Sequence, residues 1–185
     1  HAATKAGWTP LRAACRNGHV PIVDFLLAHG AESDLERQSI LGASPLYAAC
    51  QGGHLAVADK LLGKGSDPNC VTTHDNQSMF YMACAKGHLP VVKRLDEKNV
   101  DLFSADFLNR TPLFAASEAG HTAVVEYLLA NGFKDKIDMA KSDGFTPLHA
   151  AADKGHESVA TLLLGAGADP NRVASHQNIS VFHLA

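Results

Sequence analysis

Short apolar runs, each ended by a glycine, recur along the whole chain. The clearest copy lies in residues 146–171, where an alanine-rich run after Thr146-Pro147 ends at Gly155 and a second apolar run covers residues 159–164. Threonine is a good helix cap and proline suits the first helical position, while glycine favours the left-handed conformation that ends helices. The pattern therefore predicts two short helices joined by a tight turn. Neither helix is long enough to be stable alone in water.

The same unit recurs with an almost constant period. A Gly-His pair follows the first apolar run in five places, with steps of 35, 34, 33 and 35 residues between them: Gly18-His19, Gly53-His54, Gly87-His88, Gly120-His121 and Gly155-His156. Self-similarity at this period indicates stacked supersecondary units that each contact only their neighbours. The sequence therefore predicts a single domain over residues 1–185. Its approximate repeats are 7–41, 42–75, 76–108, 109–143 and 144–177, with a partial repeat at 178–185.

The motifs of the repeat point to a known family. The Thr-Pro-Leu-His start, the alanine run, the Gly-His turn, the leucine pair and the Gly-Ala-Asp-Pro-Asn ending of residues 146–171 resemble the ankyrin repeat family. The resemblance extends over essentially all 185 residues. It implies an all-α fold with short β-hairpin loops, namely an ankyrin-repeat solenoid of helix-turn-helix units.

A second recurring position holds only glycine or asparagine, two residues before each helix start. Its members are Gly7, Gly42, Asn76, Asn109, Gly144 and Asn178. From this position to the glycine of Gly-His is 11 residues in every complete repeat, and from that glycine to the next helix stop is 12. All length variation therefore lies in the connecting loops, which tolerate insertions. We expect a positive φ at the Gly/Asn position, because these residue types adopt it most readily.

Composition and charge narrow the class of partner. Of the residues, 46% are hydrophobic and the net charge is −3 with both signs interspersed, which suits a soluble globular protein and gives no support for nucleic acid as a partner. No apolar run approaches membrane-spanning length, so we expect no membrane insertion. The chain begins in a loop-like segment and ends inside the first helix of a repeat. We interpret it as a monomeric module of a longer chain.

The histidines and cysteines are periodic, which argues against catalysis or metal binding. Packed helices lie about 8–10 Å apart, so the five repeated histidines are too far apart to share a metal ion, and we expect them to bond to turn backbone. Cys15, Cys50 and Cys84 also occupy one equivalent place, beyond disulfide reach of each other. Cys70 lies in a hairpin and is the thiol expected to react. Free thiols fit a reducing compartment, so we predict a cytoplasmic location.

Surface recognition is the function that remains. The chain contains no motif for catalysis, and we predict no enzymatic activity, cofactor or metal. The family resemblance implies a protein–protein interaction scaffold whose partner protein docks on the concave face formed by hairpin tips and first helices. The candidate partner-binding residues at the matching positions are Trp8, Arg16, Ile40, Leu41, Asp75, Lys86, Phe107, Leu108, Arg110, Phe145, Asp153 and Ile179.

Two other functions stay open at this point. In a nucleotide- or small-anion-binding module, Trp8 would stack on a base while Lys5 and Arg16 hold phosphate. Alternatively, the repeats would be the recognition or regulatory part of a larger enzyme or channel. The resemblance also implies that Asn69 and Asn171, in their Asp-Pro-Asn segments, are of the kind that asparaginyl hydroxylases modify.

Overall fold

A computed structural model describes residues 8–174. This part of the chain forms five pairs of helices: α1 (Pro10–Arg16) with α2 (Val20–Ala28), α3 (Pro45–Gln51) with α4 (Leu55–Gly63), α5 (Met79–Ala85) with α6 (Leu89–Asp96), α7 (Pro112–Glu118) with α8 (Thr122–Ala130), and α9 (Pro147–Asp153) with α10 (Glu157–Gly165). Short 3-10 helices at Ala31–Asp34 and Lys134–Lys136 follow α2 and α8. Residues 8–174 contain no strand. Val71 and Ser78 form an isolated antiparallel bridge. The all-α helix-turn-helix repeat fold is confirmed.

Each first helix begins at a hydroxyl cap, as the sequence predicts. The side chains of Thr9, Ser44, Thr111 and Thr146 each accept a hydrogen bond from the amide three residues later, at 3.1–3.3 Å. A proline follows each of these caps at the first helical position. The cap satisfies an amide that the first turn of a helix leaves unpaired.

The Gly/Asn position has the predicted backbone conformation. The φ angles are 81° at Gly42, 55° at Asn76, 60° at Asn109 and 91° at Gly144. Gly7 and Asn178 lie outside the described residues. These four residues turn the chain from a hairpin tip into the next helix cap, so the side chains before them are held at the tip.

The chain divides into two compact units. The first comprises residues up to 83 together with 90–102, and the second comprises 84–89 together with the residues from 103 onwards. In the first unit, α1 packs against α2 and α3, and α3 packs against α4. Leu11, Leu46, Val57 and Leu61 are fully buried among these helices. Their burial supplies most of the stabilisation, because exposed ion pairs such as Lys60–Asp24 contribute little.

The second unit repeats this packing. Helix α7 packs against α8 and α9, and α10 packs against α8 and α9. Leu113, Phe114, Leu128, Leu148 and Leu163 are at most 1% exposed and form its core. The core is made of residues at equivalent places in successive repeats, which is why a single pattern suffices to specify it.

The repeated histidines join one repeat to the next. His54 Nε2 donates to the carbonyl oxygen of Arg16 at 3.0 Å in the first unit. In the second unit, His121 and His156 donate in the same way to Ala85 and Glu118, each at 3.1 Å. The expected bond to backbone is thus present, but its acceptor belongs to the preceding repeat. Burial lowers the pKa of His121, with its bond to Ala85 acting in the opposite direction.

In three of the Gly-His pairs, those of Gly18, Gly87 and Gly120, the glycine lies against the histidine ring of the next repeat. A Cβ atom added to Gly87 would lie 2.6 Å from Nδ1 of His121, and one added to Gly120 would lie 2.6 Å from Cε1 of His156. Both glycines also have a positive φ, near 75°. Glycine is therefore required at this place for two reasons, its backbone conformation and the closeness of the neighbouring ring.

Candidate protein-binding surface

Two hairpin tips have the same turn geometry. In both, the side chain of the first turn residue accepts hydrogen bonds from two backbone amides of the turn. In the first unit, Ser39 Oγ accepts hydrogen bonds from the amides of Leu41 and Ala43, both at 3.3 Å. In the second unit, Asp106 Oδ1 accepts from the amides of Leu108 and Arg110, at 3.0 and 2.9 Å. The acceptor and the two amides have the same spacing in both turns. The two residues that follow the acceptor, Ile40-Leu41 and Phe107-Leu108, therefore occupy equivalent places in the two turns.

Both tips present a pair of large apolar side chains to solvent. Ile40 and Leu41 are 70% and 53% exposed, and Phe107 and Leu108 are 67% and 54% exposed. A rigid turn that displays adjacent apolar residues has the composition of a binding surface rather than of a core.

Each apolar tip is bonded to a polar tip of the following repeat. Thr73 donates its amide to the carbonyl of Leu41 at 3.0 Å, and Ser142 donates its amide to the carbonyl of Leu108 at 2.9 Å. The polar tips carry polar contacts of their own, the His74–Asp75 hydrogen bond and the Lys141–Asp143 ion pair. In each unit the apolar pair is therefore bordered by polar and charged side chains, as in the rim of an interface.

Asp106 is the strongest anchor of these turns. Its side chain is buried and its Oδ2 accepts from Arg110 Nε at 2.7 Å, while Arg110 Nη1 lies 3.9 Å from Glu118. Arg110 was predicted to contact a partner, and the structure places its guanidinium in these intramolecular ion pairs, only partly exposed. Arg110 therefore stabilises the tip that carries Phe107 and Leu108.

The first helix of the first unit lines a cavity below the tip of Leu41. The cavity has a volume of about 270 Å³, and Trp8, Arg12, Arg16 and Asp75 are among the residues that line it. The guanidinium carbon of Arg12 lies 4.3 Å from the centre of the Trp8 ring, and that of Arg16 lies 5.3 Å from it. Trp8 is half-buried, so it belongs partly to this stacked group and partly to the surface.

The equivalent place in the second unit holds Phe145 and His149. Their ring centroids are 5.2 Å apart, and Phe145 is half-buried. His149 is fully buried and its Nδ1 lies 2.8 Å from Thr146 Oγ1. His149 is therefore bonded within the loop–helix junction.

The remaining predicted residues lie on the surface in different ways. Lys86 is exposed. Asp75 accepts from His74 at 2.6 Å and Asp153 pairs with Lys154 at 2.8 Å, so both carboxylates have partners beside them. Ile179 lies outside the described residues. Whether any of these residues contacts a partner stays a prediction.

Sequence reasoning missed three residues that shape this surface. Ser39 and Asp106 lie three residues before the Gly/Asn position, and a side-chain acceptor at that spacing is the signal that identifies them. Arg12 occupies the place of the histidine in Thr-Pro-Leu-His, and its charge at that place is the signal. A comparison of the repeats position by position reveals all three.

The cysteines differ sharply in burial. Burial raises the pKa of Cys15 and of Cys50 to about 12, and it raises the pKa of Cys84 well above the ordinary value of a thiol. Cys70 is half-buried, and its Sγ accepts a hydrogen bond from Gln38 Nε2 at 2.9 Å. Because the thiolate is the reactive form, the three buried thiols are protected in the folded chain.

We therefore expect an aromatic disulfide reagent to modify one thiol per folded chain rapidly. The Cys70→Ser variant should lose this rapid phase, whereas Cys50→Ser should retain it. Absorbance of the released thiolate measures both, and unfolding in guanidinium chloride should expose the other thiols. A rapid phase that survives in Cys70→Ser would contradict the assignment.

Two further chemical features bear on function. In the described part of the chain, no three His, Cys, Asp or Glu side chains come close enough to hold a metal ion. None of the helices within residues 8–174 is long and apolar enough to cross a membrane.

Comparison with known proteins assigns the family. A family model described as ankyrin repeats (3 copies) matches residues 1–72, 46–139 and 79–174. A search of curated proteins finds no match to the chain. The three matched segments overlap and together span residues 1–174 of the 185, and the helix pairs lie within them. The chain therefore belongs to the ankyrin-repeat family.

Proposed function

We propose that this chain is a non-catalytic scaffold that binds a partner protein through its hairpin tips and first helices, the face that is concave in ankyrin-repeat proteins. Ankyrin repeats are generally protein–protein interaction modules and non-enzymatic scaffolds. The observation that carries the proposal is the pair of exposed apolar tips, Ile40-Leu41 and Phe107-Leu108, each held by a side-chain-capped turn. Solvent exposure of such residues has no use for folding, and their burial by a partner supplies binding energy.

The proposal extends to the setting of the module. Three buried free thiols fit a reducing compartment, which supports a cytoplasmic location. We also propose that the repeats act as one monomeric domain within a longer protein, because each repeat joins the preceding one by the same histidine bond where that bond is described.

Nucleotide binding is a second candidate with one observation in its favour. Trp8 lies beside two guanidinium groups in one cavity, and this combination suits a base and its phosphates. Asp75 lines the same cavity and would repel a phosphate group. Lys5, the third residue of that hypothesis, lies outside the described residues. A role in regulating a larger enzyme or channel is compatible with either kind of binding.

The experiment that tests protein binding compares two matched pairs of exposed apolar residues. We expect the Phe107→Ser/Leu108→Ser variant to keep the helical signal and melting temperature of the wild type and to lose most of its capture of a partner from cell extract. The control is Ile22→Ser/Phe25→Ser on α2, where the two side chains are 50% and 61% exposed but lie away from the tips. The control should capture the partner normally. Equal capture by both variants would remove the tips from the proposed interface.

A further inference from the structure

Repeat five satisfies its buried histidine within the junction between the loop and α9. His149 is fully buried, and its Nδ1 accepts a hydrogen bond from the amide of Thr146 at 3.3 Å while it also lies 2.8 Å from the hydroxyl of that residue. Phe145 covers the ring from the side of the hairpin. This arrangement closes a capping box at the start of α9.

Repeat one has the same framework with an arginine in place of the histidine. Thr9 caps the amide of Arg12 at 3.1 Å, and Trp8 covers the guanidinium at 4.3 Å, in the places of Thr146 and Phe145. Arg12 is only 8% exposed, and its Nε and Nη1 atoms have no hydrogen-bond partner among residues 8–174. A buried cation with two unpaired N–H donors is costly, so this position is less stable than its counterpart in repeat five.

The surroundings of Arg12 add positive charge. The Arg16 guanidinium lies over the same Trp8 ring, at 5.3 Å from its centre. Burial first, and Arg16 second, lower the pKa of Arg12. An anion that enters beside these two groups would offset their mutual repulsion and the cost of the buried charge of Arg12.

The cavity beside Arg12 decides which anion fits. It is lined by Trp8, Arg12 and Arg16 on one side and by Leu41 and Asp75 on another. Because Asp75 is itself negative, a doubly charged phosphate is less favourable there than a singly charged carboxylate. Leu41 lies at the exposed tip, where an apolar residue next to that carboxylate in a polypeptide would make contact.

We propose that this cavity receives an acidic side chain, aspartate or glutamate, from a segment of a partner protein that also places an apolar residue on Leu41. Arg12 and Arg16 supply the positive charge, and Trp8 forms the wall. The inference rests on the proposed function, since it names the chemistry by which the first unit would recognise its protein partner.

The matching histidine supplies a variant that separates binding from folding. Arg12→His recreates the Thr-Pro-Leu-His sequence of repeat five, so a capping box with Thr9 can form and no unpaired guanidinium remains. We expect its resistance to urea to be equal to that of the wild type or higher. Arg172→His, a change of the same type at an exposed residue after α10, is the control for a general loss of positive charge.

The experiment selects random linear peptides displayed on phage against the complete chain. Selected peptides are then synthesised with amidated C termini, so that any carboxylate comes from a side chain, and their affinities are measured by fluorescence anisotropy. We expect the selected peptides to share an acidic residue. Replacing it by its amide should weaken binding to the wild type about tenfold or more and should change binding to Arg12→His little, as in a double-mutant cycle. Arg172→His should behave as the wild type.

Each other outcome overturns the inference in a distinct way. Peptides that bind without a shared acidic residue, or that bind Arg12→His as tightly as the wild type, would refute the carboxylate site and leave the protein-binding proposal standing. ATP that quenches Trp8 fluorescence in the wild type but not in Arg12→His, with no acid-dependent peptide, would assign the cavity to a nucleotide. A chain that selects no peptide would count against both proposals.

Discussion

Replacing Gly120 by alanine is expected to lower the free energy of unfolding by about 3–4 kcal/mol, the sum of a positive-φ cost and a steric cost. The φ of 74° alone costs an L-residue about 1–2 kcal/mol. The new Cβ would also lie 2.6 Å from the ring of His156, which cannot retreat without losing its bond to the Glu118 carbonyl at 3.1 Å. Urea unfolding followed by circular dichroism measures the change.

Gly155 provides the matched control for this substitution. Its φ is 70°, but no atom of residues 8–174 lies within 4 Å of the place where its Cβ would be. Gly155→Ala should therefore cost only the backbone term of about 1–2 kcal/mol. The Gly120→Ala/His156→Ala double variant should cost less than the sum of its single variants, because the clash needs both partners. If Gly120→Ala and Gly155→Ala lowered the free energy of unfolding equally, the His156 ring would not constrain the turn at Gly120.

Replacing Asp106 by alanine is expected to lower the free energy of unfolding by about 3 kcal/mol, since it breaks a buried ion pair and removes turn acceptors. Its carboxylate accepts from two backbone amides and from the Arg110 side chain. Arg110 contacts the carboxylates of Asp106 and Glu118. When Asp106 is replaced, the longer of these two contacts, to Glu118, remains. Loss of the turn should also let Phe107 and Leu108 move, so partner capture should fall together with stability.

Asp106→Asn separates the two contributions. The amide oxygen can still accept from the Leu108 and Arg110 amides, but the charge opposite the guanidinium is gone. We expect a cost of about half that of the alanine variant, with hydrogen exchange at the tip still slow. If asparagine and alanine were equally destabilising, the ion pair alone would explain the effect and the turn bonds would be unimportant.

The helix pairs and the left-handed positions could be predicted because local chemistry marks them. A hydroxyl followed by proline starts a first helix, and Asn76 and Asn109 stand where glycine stands in other repeats because all of them adopt a positive φ. Such signals depend on the residue itself and a few neighbours. They therefore survive in a single sequence without knowledge of the packing.

The histidine hydrogen bonds between repeats could not be predicted in the same way. His121 bonds to the carbonyl of Ala85, 36 residues earlier, and a main-chain carbonyl leaves no mark in a sequence. The candidate surface shows the same limit. Ile40 and Phe107 could be placed at hairpin tips from the family resemblance, but the half-burial of Trp8 depends on how it stacks on Arg12 and Arg16. Likewise, the unpaired nitrogens of Arg12 are visible only once its neighbours are in place.

The hydrogen bond from the histidine of Gly-His to the preceding repeat requires few particular residues in that repeat. It uses a main-chain carbonyl and a glycine, and both recur at the equivalent place in the five repeats that carry Gly-His. Adding or deleting one complete repeat would leave a histidine and a main-chain carbonyl in place on both sides of the cut, whereas adding a few residues inside a helix pair would carry the imidazole away from its acceptor. The length of this protein can accordingly change in whole steps during evolution, and each step supplies or withdraws one loop with which it can distinguish its binding partners.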